Sequence, residues 1–134
     1  LGLRYQLGKL QLHLGKSEEA IANLQQSQND GRHRVQSLGM LGHAFETLRW
    51  HTEAGETFRK ALEAHHTHND KLGMDLRYGL MVSLQEKGRQ DRDPAPVQEA
   101  VKIASGLAMQ DISFKDIRER REQLQALLQE LRPA

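Results

Sequence analysis

Residues 41–61, LGHAFETLRWHTEAGETFRKA, decide the fold, because their spacing of small and large residues has already occurred at residues 7–27, LGKLQLHLGKSEEAIANLQQS. Leu7-Gly8 is followed by Ala20, Leu24 and Ser27; 34 residues further on, Leu41-Gly42 is followed by Ala54, Phe58 and Ala61. Self-similarity at a period of this size marks stacked supersecondary units, each unable to bury its apolar face alone. A third copy follows, since Arg4-Tyr5-Gln6-Leu7 is echoed by Arg77-Tyr78-Gly79-Leu80 and Gly15 by Gly88. That shift is 73 residues, five more than two 34-residue steps. The added length falls at His66 to Gly73, where a helix end and a turn tolerate it.

Inside each copy the periodicity is helical. Leu3, Leu7, Leu10 and Leu14, then Ala20, Ile21 and Leu24, follow three-and-four spacing. Each copy is therefore a pair of helices. Gly15-Lys16-Ser17 supplies the first tight turn, with Ser17 as N-cap ahead of Glu18 and Glu19, and Thr52 with Glu53 takes the same part in the second copy. Asn29-Asp30-Gly31 and Asn69-Asp70 break the chain between copies. Asp93-Pro94 opens a helix through Val97, Ala100, Val101, Ala104 and Leu107, after a loop, Arg89 to Asp93, that reads as longer than its counterparts. Ser113 and Asp116 form a capping-box-like pair ahead of Ile117, Leu124, Leu127, Leu128 and Leu131, which predicts one long amphipathic helix. A stack of repeats needs such an element, polar on one face, to cover its last apolar surface.

Composition agrees and excludes much else. Aromatic residues are 4% of the chain and there are only three prolines, against many residues that sit well in helix interiors. With 19 Lys and Arg against 18 Asp and Glu, the net charge of +1 provides no field for nucleic acid or anionic lipid. No cysteine is present, so disulfide and thiolate chemistry are absent and a reducing, cytoplasmic setting is compatible. No apolar run approaches the roughly 20 residues of a membrane span. The sequence opens without methionine inside an apolar-periodic segment and so reads as a piece of a longer protein.

Leu-Gly followed by Phe45, Ala54, Phe58 and Ala61 resembles the tetratricopeptide repeat family, most closely in the second copy; the first has Gln11 where a large aromatic is usual. The longer spacing into the third copy, and Gln110-Asp111-Ile112 with Phe114 to Arg120, resemble bacterial scaffold proteins of this architecture. The resemblance implies an all-α superhelical solenoid of three helix-turn-helix repeats, at about 1–34, 35–73 and 74–110, with a capping helix at about 113–132, all in one domain spanning 1–134. It further implies a concave groove, lined by the first helix of each pair, that receives a peptide or helix of a partner protein.

Carrying the repeat register onto those first helices directs Tyr5, Lys9, Leu12 and His13, then His43, Glu46 and Thr47, then Tyr78, Val82, Gln85 and Glu86 toward the groove. Tyr5 and Tyr78 occupy equivalent places with Gly39 between them, which predicts a shallow pocket over Gly39 walled by two phenol rings. The competing reading packs both rings between neighbouring helices, and Leu12 and Val82 lean toward that role. The resemblance also permits a test for the clamp that grips chaperone-tail carboxylates: at the aligned places stand Tyr5, Lys9, Met40, Asp75 and Gly79, none the expected residue.

His65, His66 and His68 invite a metal reading, but two imidazoles on one face of a frayed helix end fall short of the four ligands of a closed site. His51 and Glu53 beside Trp50 lack any accompanying nucleophile or oxyanion donor, and Trp50 reads as a plug for its turn. The sequence thus predicts a non-enzymatic protein-binding scaffold without cofactor or metal. Self-assembly through terminal repeats is its rival, motivated by Leu1, Leu3 and Leu7 at the open end.

Overall fold

The computed structural model describes residues 2–132; Leu1, part of the apolar start noted above, lies outside them. Seven helices follow one another: α1 (Gly2–His13), α2 (Ser17–Ser27), α3 (Arg34–Thr47), α4 (His51–Ala64), α5 (Lys71–Asp91), α6 (Pro94–Gln110) and α7 (Ile117–Leu131), with no strand among the described residues. Each helix packs against the next, and α3 additionally touches both α1 and α5. The first members of the three pairs therefore form an inner row, with α2, α4 and α6 behind. This is an all-α helical-repeat solenoid closed at its C-terminal end by α7.

The residues that recur in register are the ones that make the stack. Ala20, Ala54 and Ala61 are fully buried and, with Leu24, Leu38, Leu41, Phe45, Phe58, Leu76 and Leu80, build a core running from α2 to α5. Their small side chains let helix axes approach. Phe58 of α4 is wedged between α3 and α5, where a β-carbon placed on Gly42 would stand 2.9 Å from its ring and one on Gly79 2.5 Å from it. Only glycine fits at those two contacts. A second core joins Met81, Val97, Ala100, Ala104 and Leu107 to Ile117, Leu124, Leu127 and Leu128, so the apolar face of α7 covers the last helix pair.

The turns are closed differently from the sequence expectation. Ser17 and Thr52 are not caps: α2 starts at Ser17 behind Lys16, α4 starts at His51 behind Trp50, and neither cap position makes a side-chain bond. Instead the preceding helices end in left-handed residues, Gly15 (φ 78°) and Arg49 (φ 64°). Lys16 N–H then donates to the Gln11 carbonyl at 2.8 Å and Trp50 N–H to that of Phe45 at 2.9 Å. This backbone motif satisfies the orphan carbonyls, and the next residue enters the following helix with no position left for a separate cap. Trp50 is half-exposed and stacks on Phe45 with centroids 5.8 Å apart.

Asp70 and Asp93 do cap α5 and α6, accepting from Gly73 N–H at 2.7 Å and Ala95 N–H at 3.0 Å. The extra length of the third pair lies in α5, which runs to Asp91, so the connection to α6 is only Arg92 and Asp93 rather than a long loop. The Ser113–Asp116 capping box is also absent. Ser113 N–H donates to Asp111 Oδ1 at 2.9 Å, while the Asp116 carboxylate is taken up by Tyr78 and Arg120.

Candidate functional site: an apolar groove on the inner helix row

Between α1, α3 and α5 lies a groove of about 420 Å³. Gln36, Gly39, Met40 and His43 reach it because three-and-four spacing sets them on one face of α3, and Leu72, Asp75, Leu76 and Gly79 do the same on α5. Leu12 closes the α1 end. Phe58 belongs to the back row yet lines the groove, since Gly42 and Gly79 leave its ring uncovered by side chains. The interior is thus apolar over an aromatic floor.

The rim carries the polar groups. Lys71 Nζ stands 3.3 Å from Asp75 Oδ2 and Lys115 Nζ 3.5 Å from Asp75 Oδ1, an oxygen that is shielded from solvent and accepts no hydrogen bond. Lys115, in the turn before α7, also lies 5.5 Å from the ring centroids of both Tyr78 and Phe114, within cation–π range. The Tyr78 hydroxyl donates to Asp116 and accepts from Arg120 Nη2 at 3.2 Å. Burial, then the bond to Asp116, raises its pKa, so the phenol stays protonated. His43 stands exposed on the opposite rim.

Of the residues singled out from the sequence, Leu12, His43 and Tyr78 meet here, together with Gly39. The others do not. Tyr5 is buried, 8% exposed, and stacks on His33 at 4.3 Å, so the paired-phenol pocket over Gly39 is corrected to a groove with one phenol. Lys9 and His13 are exposed on α1 but are not part of the lining. Glu46 points to the start of α4, where its Oε2 lies 2.8 Å from His51 Nδ1. Thr47 bonds back to the His43 carbonyl at 3.0 Å, and Glu86 pairs with Arg89 at 2.7 Å.

Val82 packs into the second core, and Gln85, 1% exposed, accepts from Arg120 Nη1 at 2.9 Å. Val82 and Gln85 lie on the side of α5 that α7 covers, the open side is the one carrying Leu72, Asp75 and Leu76, and Tyr78 stands at the border between them. Phe58, Leu72, Leu76, Gln36 and Lys115 were missed altogether. Met40, Asp75 and Gly79 were reached only through the clamp register, which points to the open face better than the projection did.

Elsewhere, His65 Nε2 faces Asp70 Oδ2 at 2.9 Å and His68 Nε2 faces the Leu62 carbonyl at 2.7 Å, so the clustered imidazoles diverge. Among the described residues no group of three or more His, Cys, Asp or Glu side chains is arranged to hold a metal ion, and no helix is long and apolar enough to cross a membrane.

No curated protein matches the chain. Residues 1–29 and 35–64 each match the tetratricopeptide repeat family model. Such repeats generally mediate protein–protein interaction and are typically non-enzymatic. Two matched repeats, in the stretches where the 34-residue register was read and where α1 to α4 stack as pairs, mark this part of the chain as tetratricopeptide repeats.

Proposed function

We propose that the chain acts as one adaptor domain, without catalysis of its own, that takes a peptide or helix of a partner protein into the groove between α1, α3 and α5. The observation that carries this reading is the apolar floor of Phe58, Met40, Leu72 and Leu76 open on the inner row and rimmed by His43, Asp75 and Lys115. An exposed concavity of this kind favours a bulky apolar side chain of the partner as anchor, with polar contacts at the rim fixing its orientation. The cysteine-free sequence suits a reducing, cytoplasmic compartment.

The test is a selection of random peptides against the chain, followed by affinity measurements on two variants. Gly39→Leu fills the groove, where the nearest neighbour of an added β-carbon is the flexible end of Leu76 at 3.0 Å. It should weaken selected peptides by at least about tenfold, roughly 1.4 kcal/mol. Trp50→Ala, outside the groove, should leave affinity unchanged. Equal affinity for the parent and Gly39→Leu would remove the groove from the account.

A further inference from the structure

At the α5 end of the groove one carboxylate stands between two lysines, and the charges are not equally open to a partner. Lys71 Nζ and Lys115 Nζ each face one oxygen of Asp75, at 3.3 Å and 3.5 Å. The Lys71 side chain is 86% exposed and that of Lys115 44%, whereas Asp75 Oδ1 is shielded from solvent. An ammonium has three donors, and each lysine directs at most one at Asp75, so donors remain free beside the groove. Apart from the His43 imidazole, Asp75 and Lys115 are the charged side chains of the lining, and Lys71 beside them leaves one positive charge in excess.

Lys115 is held in place before anything binds. Its φ of 46° is a left-handed conformation, unfavourable for residues other than glycine. The residues on either side fix it: Phe114 packs against the second core, and the Asp116 carboxylate accepts from Tyr78 and from Arg120 Nη2. The Lys115 ammonium is further seated 5.5 Å from the centroids of both the Tyr78 and the Phe114 rings. A cation positioned in this way loses little freedom when an anion binds it.

We propose that the segment taken into the groove is acidic, with apolar side chains over Phe58, Leu72 and Leu76 and an Asp or Glu beside them on Lys115 and Lys71; the inference rests on the groove reading above. The groove, about 420 Å³, is in the range that takes a drug-sized group and so holds more than one side chain. A basic segment does not fit. Each Asp75 oxygen already faces a lysine, and a partner's cation would have to displace one to reach it. Leu12 marks the opposite, α1 end of the groove, so the carboxylate lies at one end of the apolar anchors and gives the partner a direction.

Random-peptide selection on the chain and on Lys115→Glu tests the assignment, with individual labelled peptides followed by fluorescence anisotropy. Peptides that bind the parent and are lost on Gly39→Leu should carry Asp or Glu next to their apolar residues. Replacing that acid by Gln should weaken them about two- to fivefold, as for a partly exposed ion pair. Raising the salt from about 0.05 to 0.5 M should weaken the acidic peptides and leave their Gln versions nearly unaffected. Lys115→Glu should reverse the preference, selecting Lys or Arg at the same place, and Lys71→Glu should shift it the same way. Lys60→Glu, an equal change of charge at an exposed position of α4, should alter neither. Groove-directed peptides without acidic residues, or with equal affinity for the parent and Lys115→Glu, would overturn the acidic preference and leave the groove standing. If no selected peptide loses affinity on Gly39→Leu, the groove reading falls and takes the inference with it.

Discussion

Replacing Phe58 by alanine removes the ring that α4 inserts between α3 and α5, and its effect should depend on what faces the ring. Phe58 is 5% exposed, so truncation alone should destabilise by about 3–5 kcal/mol. A chain of 134 residues is expected to have on the order of 7–20 kcal/mol in hand, and the variant should still fold. In the parent, Gly79→Ala forces a β-carbon to within 2.5 Å of the ring, an overpacking of about 1–3 kcal/mol offset by the ~1 kcal/mol that alanine gains over glycine inside a helix. In the Phe58→Ala background the clash has gone and only the gain remains. Gly79→Ala should then change sign, from neutral or destabilising to stabilising by about 1 kcal/mol, a coupling of ~1–3 kcal/mol. Urea unfolding of the four proteins, followed by far-ultraviolet circular dichroism and by Trp50 fluorescence, measures it; coincident transitions justify the two-state treatment. Additivity within about 0.5 kcal/mol would refute the claim that the glycines exist to admit the ring.

Three further outcomes follow from other contacts. Arg120→Ala leaves the buried Gln85 carbonyl oxygen without its donor and should destabilise by about 1–3 kcal/mol in urea titration, with the extra hydrogen exchange concentrated in α7. Arg49→Gly, at the left-handed position equivalent to Gly15, should raise stability by about 0.5–1 kcal/mol in the same assay. Asp70, held at about 2 by the Gly73 amide first and then by His65 and Thr67, is a depressed carboxylate, so its contribution is complete above its ordinary value of 3.8 and disappears as pH falls through about 2. The melting-temperature difference between Asp70→Ala and the parent should accordingly be constant from neutral pH down to about 5 and shrink below about 4; a difference that persists undiminished at the lowest pH would contradict the assignment.

The helices and their stacking were legible because they rest on types that physics constrains tightly. Ala54, Phe58 and Ala61 repeat Ala20, Leu24 and Ser27 at one period, and a position that must be small or large at a helix contact leaves a visible mark. The groove was legible only as a place. A helix turns about 100° per residue, so a register set one position off exchanges an open face for a covered one. That is why Val82 and Gln85 were read as open when α7 covers that side of α5, and why Leu72 and Leu76 were not found. Lys115 comes from a turn, where no periodicity exists to be read. The turn chemistry was misjudged at Ser17 and Thr52 because backbone bonds from a left-handed residue do the work a serine or threonine hydroxyl does elsewhere.

The most direct measurement is methyl and amide chemical-shift mapping of the isotopically labelled chain as a library-selected peptide is added. The account predicts that the largest shifts, and contacts to the peptide's apolar anchor, concentrate at Leu12, Gly39, Met40, Leu72, Leu76 and Gly79. Shifts confined to the outer faces of α2, α4 and α6, with the inner-row methyl signals unmoved at saturation, would contradict it.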